Sequence, residues 1–380
     1  MTEAQGRGAG RSSGFKEKVM AIRVIQWATG AVGSTTLKAI IEHPDLELVG
    51  VWVHTPEKVG KDAGELVGLP PTGVLATNDR DALIALDADV VVHCPAGQGP
   101  IEARDRDVFD LLRSGKNVVS STGPYFVPEK RSPDYAQQIE DACREGGTTL
   151  MSAGANPDVV VPWLGAALTR MSLNVDHIYL AEIDDFSPNP NLNMMVELLG
   201  LGKPAAEFEP WMEEGGYFQQ SVLEWLHLLA KNIGVELDKV EGGFKLFLAT
   251  RDFEIPVGEI KKGSVCGAAF KWSAARLGET KPFMDFEFIY TVQRDHPDFP
   301  GLPHEVRLVV EIEGSPSSRT TVDLAPSLDP RVPERDASLP QGVFHAAAAS
   351  VFNCIPVVIE APPGLFTMPV PGAWQSHPAK

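Results

Sequence analysis

The segment RVIQWATGAVGSTTLKAIIEHPDLELVGVWV, residues 23–53, decides the fold. It consists of an apolar run, a glycine turn, a helical pattern and a second apolar run. The turn Ala28–Gly33 has the spacing G-x-G-x-x-G, with alanine in the first place. Between a strand and a helix, this spacing is typical of a turn that binds phosphate, because backbone and helix N–H groups can approach the anion closely.

Each position of the turn has an expected task. Gly30 is expected to allow the close approach of a pyrophosphate, and Gly33 the close packing of helix against strand. We also expect the three hydroxyl residues 34–36 to cap the start of the helix. The alternative is a glycine-rich turn that binds no nucleotide. The residues predicted to contact a dinucleotide are Ala28, Thr29, Gly30, Ala31, Val32 and Gly33.

The end of the second apolar run bears on which dinucleotide is bound. Sites that select NAD place an acidic residue there to hold the ribose hydroxyls. Here His54 and Thr55 stand at the tip, and Lys58 and Lys61 follow. A hydroxyl and basic groups suit a 2′-phosphate, so we predict a preference for NADP(H), with contacts from His54, Thr55 and Lys58. NAD(H) is the alternative cofactor, in which case the lysines lie on a solvated loop.

Apolar strands alternate with helical segments as far as residue 155, which predicts an α/β fold with a doubly wound parallel sheet. The predicted strands are Ile22–Ala28, Leu46–Val53, Val90–Cys94, Asn117–Ser120 and Thr148–Ser152. The predicted helices are Ser34–His43, Arg80–Leu86, Glu102–Ser114 and Ser132–Glu145.

The pattern changes after residue 155. Helical patterns over about 193–201 and 216–233 are followed by runs such as PFMDFEFIYTVQ and HEVRLVVEIEG, in which apolar and polar residues alternate. This favours a second, α+β domain with an antiparallel or mixed sheet. We predict a disordered tail over 1–20, a dinucleotide-binding domain over 21–155, a second domain over 156–340, and a C-terminal helix and tail over 341–380.

The composition of the chain argues against several classes of function. The chain has 380 residues, of which 43% are hydrophobic and 22% charged, values typical of a globular protein. A net charge of −18 argues against nucleic acid and anionic membranes as partners. No stretch is expected to reach the roughly 18 apolar residues of a membrane helix. Four scattered cysteines give neither a disulfide framework nor a zinc pattern, so we predict a cytoplasmic protein without a metal.

Several stretches carry a family resemblance: VIQWATGAVGSTTLKAI, DADVVVHCPAG, GKNVVSS, LMSAGANPD and VFNCIPVVIEAPPG. Together they resemble dihydrodipicolinate-reductase-like oxidoreductases, and more closely the branch of 2,4-diaminopentanoate dehydrogenase and native amine dehydrogenases. The resemblance implies a Rossmann domain, a substrate and dimerisation domain, and a late helix that returns to the cofactor cleft. It also implies a homodimer, and hydride transfer from NAD(P)H to an imine formed from a carbonyl and ammonia, or the reverse.

The sequence departs from the family pattern at three places. It has no adjacent pair of histidines, which disfavours dihydrodipicolinate reductase itself. Gly123 and Pro124 stand where amine dehydrogenases carry an acidic pair, and Asp158 replaces the usual glycine after Asn-Pro. The usual catalytic acid is therefore absent from its expected place.

The remaining site predictions concern loops beyond the carboxyl ends of the strands, where open α/β sheets bind ligands. The resemblance places Asn156 near the nicotinamide; the alternative is an Asx turn. For proton transfer the candidates are Tyr125, Glu182 and Asp184, with packing or surface roles as the alternatives. The additional residues predicted to contact the cofactor are Cys94, Pro95, Ala96, Gly97 and Ser120.

These observations predict an NAD(P)H-dependent oxidoreductase acting on a C=N or C=O bond of a small molecule, a ketone, imine or amine. One alternative is an NADPH-dependent carbonyl reductase that needs no ammonia. The other is a sensor that binds NADP(H) without hydride chemistry.

Overall fold

The computed structural model describes residues 20–95, 101–123, 125–209, 217–325 and 342–376, with backbone alone at 101, 102, 156, 157, 217 and 218. The predicted tail therefore lies outside the described residues, except for Met20. The strands are β1 (Ile22–Trp27), β2 (Leu46–Trp52), β3 (Ala76–Thr77), β4 (Val90–His93), β5 (Asn117–Ser120), β6 (Thr149–Ser152), β7 (Val175–Asp185), β8 (Leu237–Leu248), β9 (Phe253–Ile255), β10 (Gly258–Ile260), β11 (Val265–Arg276), β12 (Pro282–Thr291), β13 (Val306–Gly314), β14 (Ser318–Leu324) and β15 (Gly364–Phe366).

The helices alternate with the strands in the first part of the chain. They are α1 (Ala31–Glu42), α2 (Arg80–Ala85), α3 (Ile101–Arg113), α4 (Pro133–Gly146), α5 (Gly165–Thr169), α6 (Tyr217–Asn232), α7 (Gly342–Asn353) and α8 (Ile355–Glu360). Two wider, π-helical segments cover Ala155–Leu164 and Asn193–Leu198. The sequence pattern did not predict the first of these, because Pro162 interrupts it.

The first sheet confirms the predicted doubly wound architecture. Its strand order is β15-β6-β5-β4-β1-β2-β3, and every paired strand in it is parallel. The order 3-2-1-4-5-6 is that of the Rossmann dinucleotide-binding fold. Helices cover both faces, with α3 and α4 packed on one apolar face and α1 and α8 on the other.

The second sheet is mixed, as the alternating runs predicted. Its order is β14-β13-β7-β12-β11-β8, in which β7 and β12 are parallel and the other pairs antiparallel. One face packs against α6, where the rings of Trp225 and Phe286 meet edge to face. The strands β3, β10, β14 and β15 were not predicted.

The C-terminal segment connects back to the first sheet. Phe352 of α7 meets His43, the residue that ends α1, and β15 pairs in parallel with β6. Residues of α7 and α8, including Val351, Ile355 and Val358, complete the apolar layer beside α1. The final segment of the chain therefore contributes to the domain that carries the glycine turn.

Candidate active site

The glycine turn links β1 to α1. Ala28 has a φ of +73°, the left-handed conformation that an L-residue rarely adopts and glycine adopts freely. Gly30 stands at the N-cap of α1 without a side-chain cap, so the prediction that residues 34–36 cap the helix is wrong. Ser34 instead donates back to the Thr29 carbonyl oxygen at 3.0 Å. The first N–H groups of α1 are thus not capped by a side chain.

A buried polar network holds the strained turn. Gln26 is fully buried in β1, and its Nε2 donates to the Ala28 carbonyl oxygen at 2.9 Å. Thr36 Oγ1 donates to Gln26 Oε1 at 2.8 Å. Because both polar ends of Gln26 have partners, the buried amide fixes the backbone of Ala28. Sequence reasoning missed this role, although a glutamine within an otherwise apolar strand is a visible signal.

The two glycines of the turn meet different surroundings. A Cβ on Gly33 would lie 2.2 Å from the Ala28 carbonyl oxygen, so no larger residue fits between helix and strand. A Cβ on Gly30 would meet nothing within 4 Å. The glycine at position 30 therefore leaves open space beside the N-terminus of α1, the arrangement that a pyrophosphate requires. The turn fits the group that its spacing predicts.

Lys58 lies over this turn. Its Nζ donates to the Thr29 carbonyl oxygen at 2.8 Å and to Thr29 Oγ1 at 3.1 Å. Partial burial and the nearby Lys61 lower the pKa of Lys58. His54 and Thr55 are exposed at the end of β2, where Trp52 stacks on Trp27 with ring centroids 5.1 Å apart. A cationic group thus lies beside the predicted phosphate site.

The ends of β4 and β5 form the neighbouring part of this edge. Buried His93 has its Nδ1 2.9 Å from Ser120 Oγ, while its Nε2 has no hydrogen-bond partner among the described residues. Burial, and then Arg104, lower the pKa of His93 to about 3, so the ring is neutral. Cys94 is buried with its thiol near Gln26 and Thr36, and Pro95 is half-buried. Ala96 and Gly97 lie outside the described residues.

Tyr125 belongs to a buried cluster centred on Asp105. The hydroxyls of Tyr125 and Tyr135 donate to Asp105 Oδ1 at 3.0 and 2.9 Å, and Arg131 Nη1 lies 3.0 Å from Asp105 Oδ2. Burial, followed by the charges around it, raises the pKa of Tyr125 well above its usual value. The geometry therefore gives this hydroxyl a partner within the protein.

Glu182 and Asp184 lie on one face of β7, as the alternation predicted. Both are buried, Asp184 to 1% exposure. Burial, and then the neighbouring Glu182, raise the pKa of Asp184 well above the usual carboxyl range. Asp185 points to the opposite face and lies 3.3 Å from Arg294. The two carboxyls on the shared face are thus close enough to affect each other's protonation.

The turn after β6 leads directly into the π-helical segment. Asn156 lies in its first turn, although its side chain is outside the described part of the chain. Asp158, two residues later, is 8% exposed and hydrogen-bonds the backbone of Gly154. Cys354, at the junction of α7 and α8, faces this carboxyl.

A second buried carboxyl, Glu224 of α6, anchors the loop after β5. Its Oε2 accepts the backbone N–H groups of Phe126 and Val127 at 2.8 and 2.9 Å. Burial raises the pKa of Glu224 to about 8. Because α6 packs on the second sheet, Glu224 ties that domain to the loop that contains Tyr125.

Two properties of the described residues concern metal ions and membranes. Within them no group of three or more His, Cys, Asp or Glu residues is placed to hold a metal ion. One stretch, Gly342–Glu360, is long and apolar enough to be counted as a membrane span, contrary to the expectation from the sequence. A helix in the core of a globular protein can be as long and as apolar, and this stretch supplies Val351 and Ile355 to the apolar layer beside α1.

Known proteins match the chain in two parts. Residues 22–104 match the family model described as dihydrodipicolinate reductase, N-terminus, and residues 159–379 match the 2,4-diaminopentanoate dehydrogenase C-terminal domain. The chain belongs to the 2,4-diaminopentanoate dehydrogenase C-terminal domain family. It is an NAD(P)-dependent oxidoreductase, which confirms the class of enzyme that the glycine turn and the resemblance predicted.

Individual relatives match along most of their length. An amine dehydrogenase from Streptomyces virginiae is 29% identical over 356 residues, which cover 91% of this chain and 94% of the relative. The 2,4-diaminopentanoate dehydrogenase of Acetoanaerobium sticklandii is 26% identical, with 93% and 94% covered. The solved amine dehydrogenase from Mycobacterium smegmatis shares the fold, with a TM-score of 0.73 at 20% identity, covering 91% of this chain and 94% of that one.

Proposed function

We propose that the protein transfers a hydride between NADP(H) and the C=N or C=O carbon of a small substrate, as an amine dehydrogenase or a close variant. The observation that carries the proposal is the glycine turn, with open space at Gly30 and the Lys58 ammonium bound to Thr29. The relatives named as amine and 2,4-diaminopentanoate dehydrogenases support an amine or carbonyl compound as substrate.

The preference for NADP(H) follows from charge. No acid stands at the end of β2, where His54 and Thr55 are exposed, and Lys58 lies beside the turn. A 2′-phosphate would replace the Thr29 oxygens as the partner of Lys58 in a charge-assisted hydrogen bond. When bound, the nicotinamide supplies the hydride, while the protein orients the substrate and excludes water.

Proton transfer needs a side chain that can exchange its proton. We assign Tyr125 a structural role, because its hydroxyl already binds Asp105 and burial disfavours the tyrosinate. Glu182 and Asp184 keep the predicted catalytic role. Two interacting carboxyls favour sharing one proton, so the pair can carry a negative charge that holds a protonated amine or accepts its proton.

We include a cytoplasmic homodimer in the proposal. The resemblance to dehydrogenases with a dimerisation domain supports the dimer, and four buried free cysteines fit a reducing compartment. Light scattering of the purified protein and fractionation of its source cells test these two statements. A monomer in solution, or export from the cytoplasm, would contradict them.

A screen of NADPH consumption tests the function. Purified enzyme is mixed with NADPH and a panel of small ketones and aldehydes, with and without ammonia. Turnover that depends on ammonia supports amine dehydrogenase chemistry, and turnover without ammonia identifies a carbonyl reductase. Tight binding of NADPH without turnover of any compound, with or without ammonia, would contradict hydride transfer and favour a sensor.

A further inference from the structure

Asp158 is a buried carboxyl at the edge of the sheet where the cofactor is proposed to bind. Ala153, directly after β6, donates its backbone N–H to the Ser120 carbonyl oxygen at 2.9 Å, which fixes this turn beside the end of β5. The π-helical segment begins at Ala155, so Asp158 stands in its first turn, at the carboxyl end of the strands. Ligands of open parallel sheets bind at this end.

The surroundings of Asp158 favour the protonated acid. It is 8% exposed, and burial raises its pKa to about 7, opposed by the hydrogen bond with the Gly154 backbone. Cys354, at the junction of α7 and α8, is the titratable group that faces Asp158. Burial raises the pKa of its thiol to about 12. Among the described residues, no cation contributes to the shift of Asp158. The carboxyl can therefore hold a proton near neutral pH and release it.

The other titratable side chains around this edge are engaged by partners within the protein. The neutral ring of His93 binds Ser120. Tyr125 donates to Asp105, and Glu224 accepts two backbone N–H groups of the loop after β5. Glu182 and Asp184 lie on the second sheet, not on the edge that carries the glycine turn.

We propose that Asp158, rather than the pair Glu182 and Asp184, is the acid that donates a proton to the nitrogen or oxygen of the substrate bond being reduced, which leaves the pair to hold the protonated amine. This inference rests on the proposed function. The proton leaves the Asp158 carboxyl and forms an N–H or O–H bond, and the carboxylate that remains takes up a proton from solvent. The π electrons of the C=N or C=O bond move to the protonated atom, while the hydride of NADPH supplies the electron pair of the new C–H bond.

The test compares Asp158→Asn with Glu224→Gln. The first keeps an acceptor for the Gly154 N–H but removes the acidic proton. The second makes the same carboxyl-to-amide change at another buried position outside the proposed machinery. We expect Asp158→Asn to lower kcat by about 100-fold and to abolish the fall in rate as pH rises through neutrality. Glu224→Gln is expected to keep that pH dependence, and both variants to keep wild-type NADPH affinity.

A readout without cofactor or substrate accompanies the kinetics. Carboxyl carbons followed by NMR should show a group that titrates near pH 7 and is lost in Asp158→Asn, whereas Glu224→Gln should keep that group and lose the one that titrates near pH 8. Asp158→Asn should also raise the urea midpoint above about pH 7, where the ionised Asp158 weakens the fold, but not at about pH 3, where the carboxyl is protonated in both the folded and the unfolded chain.

The outcomes separate the two proposals. An active wild type with an unchanged rate and pH profile in Asp158→Asn would overturn the role of Asp158 alone. A wild type that turns over no carbonyl, imine or amine would overturn the proposed function, and the role of Asp158 with it. If no carboxyl titration near pH 7 disappears in Asp158→Asn, the role of Asp158 is overturned as well.

Discussion

The glycine turn and the buried carboxyls are assembled in different ways. Residues 26–36 form one continuous stretch, in which the side chains of Gln26, Ser34 and Thr36 bond to partners within the same stretch. Asp158 and the pair Glu182 and Asp184 come from a π-helical segment and from a strand of the other domain. Cofactor binding therefore depends here on local backbone geometry, whereas proton transfer depends on how distant elements pack and exclude water.

The largest effect is expected from Gly33→Ala. The new Cβ would lie 2.2 Å from the Ala28 carbonyl oxygen, so helix and strand must separate. We expect a loss of about 3 kcal/mol in the free energy of unfolding and loss of NADPH binding. Urea denaturation and cofactor fluorescence measure the two.

Gly30→Ala is the matched control for that variant. Its Cβ has open space and the backbone φ of −75° is ordinary, so stability should change by less than about 1 kcal/mol. NADPH should nevertheless bind more weakly, because the methyl group enters the space assigned to the pyrophosphate. Equal destabilisation by both variants would contradict the packing role assigned to Gly33.

Asp184→Asn, which changes one member of the carboxyl pair, should lower activity but not stability. Removing one member of the pair should lower kcat/KM for the amine by about 100-fold, or about 2.7 kcal/mol, because the charge-assisted contact with the protonated amine is lost. Because a raised carboxyl pKa costs stability as pH rises through it, the variant should be no less stable than the wild type under alkaline conditions. Full activity with lower stability would instead assign Asp184 to the core.

Lys58→Ala tests whether Lys58 makes the enzyme prefer NADPH to NADH. The substitution removes the ammonium that binds Thr29 but changes no core residue. We expect kcat/KM with NADPH to fall by about tenfold, the effect of about 1.4 kcal/mol. With NADH, kcat/KM should stay nearly constant. An equal fall in kcat/KM with both cofactors would show that Lys58 does not contact the 2′-phosphate.

The smallest effect is expected from Ala28→Gly. Glycine would remove the strain of the left-handed φ but would also make the unfolded chain more flexible. These contributions oppose each other, so the net change should be within about 1 kcal/mol, measured by urea denaturation. A large loss of stability would show that the methyl group of Ala28 is needed for packing.

The sequence predicted local features better than distant ones. Strand β1, the glycine turn and the alternation of β7 follow from periodicity and spacing, so the fold class and the shared face of Glu182 and Asp184 were predictable. The start of α1 was placed too late, because Ser34–Thr36 have the composition of caps but donate to carbonyl oxygens within and before the helix. The π-helical segment was hidden by Pro162.

The electrostatic environment of the site was not predictable from the sequence alone. Tyr125 has a partner in Asp105 that lies 20 positions earlier, and Glu224 reaches a loop nearly a hundred positions away. Asp158 was visible as a residue, but its burial depends on α7 and α8, which return from the end of the chain. Which of the 51 acidic side chains become buried, and so have raised pKa values, depends on how the folded chain packs.

The most direct test of the central claim is isotope transfer from NADPH deuterated at C4 of the nicotinamide, on the face that the enzyme uses. Both C4-labelled forms are incubated with a ketone and ammonia, and the product is examined by mass spectrometry and NMR. The account predicts an amine with one deuterium on the former carbonyl carbon, from one labelled form and only when ammonia is present. Deuterium in an alcohol without ammonia would identify a carbonyl reductase, and bound NADPH that delivers no deuterium to any product would contradict the account.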